Sequence, residues 1–391
     1  MKLKFGMVGG GNGGNIGNSH RIGAQMDALA VLSAGCLTRN HEQNKTDCER
    51  WGIPADRAYD DYKQMAEEES KREDCIDFVT VVTPDNTHYD IAKCFLEHGI
   101  NVVCEKPFTK SIAQAEELKK IAAENNCEVC ITYTYAHYPI LRQCRKLIEE
   151  GAIGRLIDMV VEYPEQYMIE SLKGDGDGME FAKWAGDPKY AGNSNVTASL
   201  GTHLYYMITS MTGAKMESVL ADFGYYPDNA PLETVNRFMF RLENGLKGVG
   251  WTSNVAIGHD CTMEIKIYGD DGAIEWSHGD PTRLKVTKLN GTIQYLCANK
   301  EYLCDESRKA SRLPAGHPEG FHHAFANIYR AFCQRLIDKK NGVIKDGSEY
   351  FYPKIDDGIN GVRFVGACVA SCKHGNVWVK LDSVTDEAAR V

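Results

Sequence analysis

The chain has 391 residues, of which 44 are Lys or Arg and 54 Asp or Glu, for a formal net charge of −10. Such a balance leaves no basic footprint for nucleic acid or an anionic membrane surface, and no apolar stretch approaches the ~20 residues that span a bilayer. The length calls for two domains with a sizeable core, the 14 cysteines lack a secreted spacing framework and read as reduced thiols, and the N-terminus enters a strand without a signal-peptide core, so a cytoplasmic protein is expected.

Residues 4–8 form a strand-like run that leads into Gly9-Gly10-Gly11-Asn12-Gly13-Gly14-Asn15-Ile16-Gly17, with a helix-compatible stretch over 19–29. Gly9, Gly11 and Gly14 satisfy G-x-G-x-x-G in the strand-turn-helix context that a dinucleotide site requires. Glycines let the backbone turn sharply and approach a pyrophosphate, whose charge is met by amides and the helix N-terminus. Gly11, Gly13 and Gly17 form a second frame, so the choice between frames is open. Asn12, Asn15 and Ile16 complete the expected cofactor turn. The second strand, 31–37, ends at Thr38 and Arg39, where an acidic residue would select NAD through the ribose 2′-hydroxyl. Arg39 either stacks on adenine, pairs with a 2′-phosphate or is solvated. NAD is the expected cofactor, and NADP is not excluded.

Strands over 77–83 and 100–104 alternate with helices over 86–98 and 111–125. The first strand ends at Thr83-Pro84, and with His88 these are candidates to wall the cofactor cleft, ordinary capping by Asn86 or Thr87 being the alternative. The second strand ends at Glu105-Lys106-Pro107. Lys106 either pairs locally with Glu105 or presents an ammonium to a substrate hydroxyl beside the nicotinamide, where a lowered pKa lets it share a proton. Cys127 and Cys130 form C-x-x-C, but positions three apart on a strand face opposite sides, and no second pair completes a zinc site. No metal is expected. This alternation is the texture of a doubly wound parallel α/β sheet, the Rossmann arrangement, and residues 1–130 are assigned to a dinucleotide-binding domain.

Beyond residue 150 the texture changes. Strand-like runs cover 155–163, 217–224, 235–242, 246–254, 263–268, 273–276 and 284–289, with Asn244-Gly245, Asp271-Gly272 and Asn290-Gly291 as hairpin signals. Residues 131–391 are therefore read as an α+β domain on a mostly antiparallel sheet, serving substrate binding and assembly into a homo-oligomer. The acidic loop 174–178 lacks the remaining ligands of a calcium motif. Trp184 to Pro188 precede the segment 193–200 and Gly201-Thr202-His203, whose histidine opens a helix-compatible run. His203 is either a hydrogen-bonded structural residue or a proton acceptor, a role that suits imidazole near neutral pH.

Taken together, Gly9 to Gly17, Thr83-Pro84 to His88, Glu105-Lys106-Pro107 and Gly201-Thr202-His203 resemble the Gfo/Idh/MocA oxidoreductases, the family of glucose-fructose oxidoreductase and inositol dehydrogenase. The resemblance implies that Lys106 and His203 line the pocket where a sugar or inositol hydroxyl meets the nicotinamide, with His203 as acid/base. The family's aspartate in the segment before this histidine is replaced by Ser199, so Asp187 or Lys106 would share its work. Finer likenesses lie in His20-Arg21, Tyr133-Thr134-Tyr135 with Tyr138-Pro139, Glu162-Tyr163 with Gln166, His317 to Gly320, and Asp357-Gly358. They are similar to a subgroup of sugar and glycoside dehydrogenases that oxidise the 3-hydroxyl of glucosides, including plant C- and O-glycosides. Tyr135, Gln166, Trp184, Asp187, Ser199 and His317 are the expected substrate contacts, since aromatic rings cover apolar sugar faces. The implied reaction is hydride transfer from a sugar-ring CH–OH to NAD(P)+. The alternatives are an inositol or free-sugar dehydrogenase, a glycoside hydrolase using transient oxidation, and a non-catalytic sensor that keeps the dinucleotide fold.

Overall fold

The computed structural model describes residues 2–11, 14–173, 186–343 and 345–387. They fall into two compact units: Met1–Thr134 with Phe321–Ile359, and Tyr135–Gly320 with Asn360–Val391. This differs from a single cut after residue 130, because helix Phe321–Lys340 returns to the first unit. Phe325, Ile328, Tyr329, Phe332 and Leu336 on that helix share a core with Phe5, Phe78 and Tyr352, and such long-range burial leaves no local mark in the sequence.

The first unit is built on β1 (Leu3–Gly9), β2 (Ala30–Cys36), β3 (Phe78–Val82), β4 (Asn101–Cys104) and β5 (Val129–Ile131), all parallel, in the order β2-β1-β3-β4-β5. Helices on both sides bury both faces, which is why these strands are almost continuously apolar. Asn40, Asp61 and Ser111 cap three of the helices through their side chains. The order reverses at β1 and β3, so the turns after these strands flank the crevice where open α/β sheets take ligands.

The second unit carries β6 (Leu156–Pro164), β7 (Met216–Gly224), β8 (Val235–Leu242), β9 (Lys247–Ser253), β10 (Glu264–Gly269), β11 (Gly272–Ser277), β12 (Arg283–Lys288), β13 (Ile293–Cys297) and β14 (Val379–Lys380). Their order is β13-β12-β11-β10-β6-β9-β8-β7-β14. Neighbours are antiparallel except β6 and β9, among the described residues. One face turns inward, burying Met159, Val161, Tyr163, Phe238, Phe240, Ile265, Ile267, Ile274 and Trp276. Across the other face the register aligns Lys266, Val160, Val249, Met239 and Leu220 in one row, and Glu264, Glu162, Trp251, Arg237 and Asp222 in the next. Met239 and Val249 remain 42% and 43% exposed.

Candidate active site

The glycine turn fits a dinucleotide. Gly9 and Gly10 have φ of +83° and +79°, a region that favours glycine, and a Cβ on Gly9 would lie 2.1 Å from the Val82 carbonyl oxygen. Helix Asn15–Gln25 starts at Gly14 with no side-chain cap, which leaves its first amides for an anion. Close helix–turn packing is made at Gly17, where a Cβ would lie 2.1 Å from the Gly10 oxygen, whereas at Gly14 the nearest atom would be 3.3 Å away. The third glycine of the second frame thus takes the packing role. Asn12 and Gly13 lie outside the described residues, and Ile16 is exposed in the first helical turn.

At the end of β2, Thr38 Oγ1 receives the Asn40 N–H at 3.4 Å, and Arg39 is exposed. The buried Asp47 points an oxygen toward Gly11, where an added Cβ would lie 2.7 Å from it. Sequence reasoning missed this carboxylate because it comes from the following helix, not from the strand end.

His88 corrects an expectation. It is fully buried, with Nδ1 2.8 Å from the Pro107 carbonyl and Nε2 2.9 Å from the Thr83 carbonyl. Burial opposes a charge on this ring, but Cys104, Asp85 and the Pro107 carbonyl outweigh it and lift the pKa to about 10. An imidazolium donates to both carbonyls. His88 therefore ties the end of β3 to the Glu105-Lys106-Pro107 segment, with both ring nitrogens taken up by backbone carbonyls. Thr83 itself is half-buried and accepts a bond from Thr87 Oγ1 at 2.7 Å, while Pro84 is exposed. Thr87 occupies the cap position of helix His88–Glu97 without a side-chain capping bond.

Glu105 is held by a chain of buried groups. Oε1 accepts from His20 Nε2 at 2.9 Å and Thr132 Oγ1 at 2.5 Å, and Oε2 accepts the Lys106 N–H at 3.2 Å. Burial alone would raise its pKa, but His20, Lys106 and Thr132 bring it down to about 2. Glu105 is thus an ionised anchor under the backbone of the half-buried Lys106.

In the second unit a π-helical turn, Thr197–Gly201, runs into helix Thr202–Thr212. Such turns are rare and concentrate at functional sites. Ser199 is half-buried among buried neighbours, and His203 is 8% exposed. Below the turn, the buried Glu233 accepts from Ser194 Oγ at 2.6 Å and from the N–H groups of Asn195 and Thr197 at 3.1 and 3.0 Å. Burial raises the Glu233 pKa, against the pull of these donors.

Tyr135 is not exposed as a sugar platform. Its ring meets His203 edge to face at 4.8 Å, while its hydroxyl lies 2.7 Å from the Tyr163 hydroxyl and 3.1 Å from Cys261 Sγ. Burial, with Cys261 beside it, raises the Tyr135 pKa well above the ordinary value, so the phenol stays neutral. Only 7% of Tyr135 is exposed. Its polar end is already used within the protein, and it braces the face of His203. Tyr163 stood among the family likenesses without a role, and Cys261 and Glu233 escaped sequence reasoning because each reaches the site from a distant strand or loop.

Of the other expected contacts, Gln166, Asp187 and His317 make bonds within the protein. Gln166 receives the Gly258 N–H at 2.8 Å and donates to Glu170 at 2.9 Å, fastening a loop. Asp187 caps the short helix Pro188–Ala191 by accepting the Lys189 N–H at 2.9 Å. His317 is exposed, with Nδ1 3.2 Å from the Pro314 carbonyl. Trp184 and the loop 174–178 lie outside the described residues. Among the described residues no group of three or more His, Cys, Asp or Glu could hold a metal ion, and no helix is long and apolar enough to cross a membrane.

Comparison with known proteins agrees with this architecture. Residues 3–133 match the model of the Gfo/Idh/MocA oxidoreductase family, NAD-binding Rossmann fold, and residues 141–275 match the Gfo/Idh/MocA C-terminal domain. The chain is 36% identical over 383 residues to an uncharacterised oxidoreductase of Bacillus subtilis, YfiI, covering 97% of this chain and 96% of that protein. An inositol dehydrogenase homologue from Azotobacter vinelandii complexed with NAD+ is 32% identical, with a TM-score of 0.92 and 97% of each chain covered. The same homologue complexed with NADH and myo-inositol is 31% identical at a TM-score of 0.90, covering 97% of this chain and 98% of that one. With a glycine turn in which Gly9, Gly10 and Gly17 have no space for side chains, and sequence likeness along nearly the whole chain, this protein belongs to the Gfo/Idh/MocA family of oxidoreductases, with an NAD-binding Rossmann domain.

Proposed function

We propose that the chain is an NAD(P)-dependent dehydrogenase that oxidises a secondary CH–OH on the ring of a cyclitol or sugar to the ketone. The observation that carries this reading is the anchored Lys106 in a unit with a dinucleotide cradle, together with His203 braced at the head of a buried helix. The dinucleotide, when bound, accepts the hydride. His203 takes the hydroxyl proton, a task suited to imidazole, and the Lys106 ammonium steadies the negative charge growing on the oxygen. The two electrons leave with the hydride as the C–H bond breaks, and the C=O bond forms as the O–H proton departs.

Likeness to the homologue solved with myo-inositol favours a cyclitol or free monosaccharide as first substrate to test. Oxidation of the 3-hydroxyl of a glucoside is the narrower alternative, supported by the motif likenesses alone. Ser199, Asp187 and Gln166 remain candidate contacts to the ring hydroxyls.

A screen of inositols, monosaccharides and aryl glucosides with NAD+ and NADP+, followed at the reduced-cofactor absorbance band, tests the proposal. Turnover with stoichiometric reduced cofactor is expected, and Lys106→Met and His203→Ala should each lower kcat/KM by roughly 100-fold or more. Full activity in either variant, or glycoside cleavage without reduced cofactor, would overturn it. The outward sheet face supports a further proposal, a homodimer: apolar Val160, Val249 and Met239 lie beside Glu162 and Arg237, a pattern that a two-fold axis can make self-complementary.

A further inference from the structure

We propose that His20 is a positioning residue for Lys106: through Glu105 it ties the lysine to the helix that follows the glycine turn. This rests on the reading of Lys106 given above. His20 lies on helix Asn15–Gln25, with its side chain fully buried. Its Nε2 is 2.9 Å from Glu105 Oε1 and its Nδ1 is 2.6 Å from the Tyr329 hydroxyl, which is in turn 3.1 Å from Thr80 Oγ1. The hydrogen bonds can run in one direction: Thr80 donates to Tyr329, Tyr329 donates to Nδ1, and Nε2–H donates to Glu105. Burial keeps Tyr329 protonated by raising its pKa well above the ordinary value.

The chain joins five elements. Thr80 belongs to β3, Tyr329 to the returning helix Phe321–Lys340, His20 to the helix whose first amides await the pyrophosphate, Glu105 to the end of β4, and Thr132 to the segment after β5. The His20 ring is fixed further by edge contacts with Phe325 at 4.8 Å and Tyr329 at 5.9 Å. Gly23, one turn along the same helix, lets the returning helix approach: a Cβ there would lie 2.8 Å from Phe325 Cβ. The ring therefore has little freedom to follow Glu105 if the carboxylate moves. Loss of the Nε2 donor leaves an ionised carboxylate short of a partner at 14% side-chain exposure, so Glu105 must take a proton or rotate. Either response disturbs the bond from the Lys106 N–H to Oε2, and with it the lysine. Seating of the helix by a bound pyrophosphate and placement of Lys106 thus become linked.

The test uses the full chain with His20→Leu and His20→Gln, the glutamine amide being able to donate to Glu105. Competitive acetylation of the ligand-free proteins, read at Lys106 by peptide mass spectrometry against Lys285 of the second unit, should change at least threefold in His20→Leu and return toward wild type in His20→Gln. With the best substrate from the screen, His20→Leu should lower kcat 10- to 100-fold while the NAD+ Kd and substrate KM move less than threefold. Unchanged Lys106 labelling, or a loss that falls on NAD+ binding and leaves kcat intact, overturns the proposal. If His20→Leu fails to fold, Glu105→Gln takes its place, with the same changes in labelling and kcat expected and their absence equally fatal. Full activity of Lys106→Met would instead defeat the functional reading, and the labelling result would still decide the structural link.

Discussion

Replacing Gly17 by alanine should damage cofactor binding far more than the same change at Gly14, although Gly14 is the residue that completes the G-x-G-x-x-G pattern. At position 17 the new Cβ would lie 2.1 Å from the Gly10 oxygen and 2.4 Å from its Cα. Both obstacles are backbone, so helix and turn must separate by about 1 Å to reach ordinary contact. A shift of that size in a geometry-critical site costs on the order of 100-fold, equivalent to about 2.8 kcal/mol. Overpacking adds a loss of roughly 1–3 kcal/mol in global stability. At position 14 the nearest atom is 3.3 Å away and the backbone, at φ −58° and ψ 123°, accepts any L-residue. Gly14→Ala should therefore cost only about 0.5 kcal/mol. Titration calorimetry with NAD+, alongside thermal unfolding, gives both quantities. Equal NAD+ affinity in the two variants would refute the assignment of Gly17 to helix–turn packing.

If Tyr135 braces His203 and its hydroxyl is committed to Tyr163 and Cys261, then Tyr135→Leu should lower kcat about tenfold or more, and Tyr135→Phe much less; a substrate KM effect confined to Tyr135→Phe would restore the sugar-contact role. Burial raises the Asp357 pKa from 3.8 to about 6, against a bond from the Lys354 N–H at 2.7 Å. Between those pH values the folded chain holds a proton that the unfolded chain has lost, so this group makes stability fall as pH rises from 3.8 to about 6. Asp357→Asn should then stabilise the protein at pH 7.5 by on the order of 2 kcal/mol, with a smaller gain at pH 5, measured by urea unfolding. An equal gain at both pH values would remove the assignment. A charge placed on the outward sheet face by Val249→Asp should shift light-scattering mass from dimer to monomer; an unchanged mass would exclude this face as the contact.

Strand positions were legible where period and turn chemistry act locally. The expected strand 235–242 matches β8, Gly245 and Gly291 adopt the positive φ that their hairpin signals implied, and the glycine turn ends β1 as its sequence context required. What local pattern cannot carry is a partner tens to hundreds of residues away. His20 meets Tyr329, Ser194 meets Glu233 and Tyr135 meets Cys261 only through the tertiary fold. The same cause misled the reading of His88 and Tyr135, whose residue types suit a ligand cleft but whose polar atoms are taken up by carbonyls, a hydroxyl and a thiol of the protein itself. Strands β13 and β14 were passed over for a different reason: the first is largely exposed and lacks an apolar alternation, and the second has two residues.

The return of helix Phe321–Lys340 sets the order in which the chain can mature. During synthesis from the N-terminus, β1 to β5 emerge early but lack the ring of Tyr329 and the rest of that helix until every strand of the second sheet except β14 has been made. The nascent cofactor domain must therefore wait with Phe5 and Phe78 incompletely covered, a stage at which exposed parallel strands are prone to wrong association. An isolated fragment ending at residue 134 would be arrested in that state. A fragment that joins residues 1–134 to 321–359 through a short linker carries the missing cover and is the one to express.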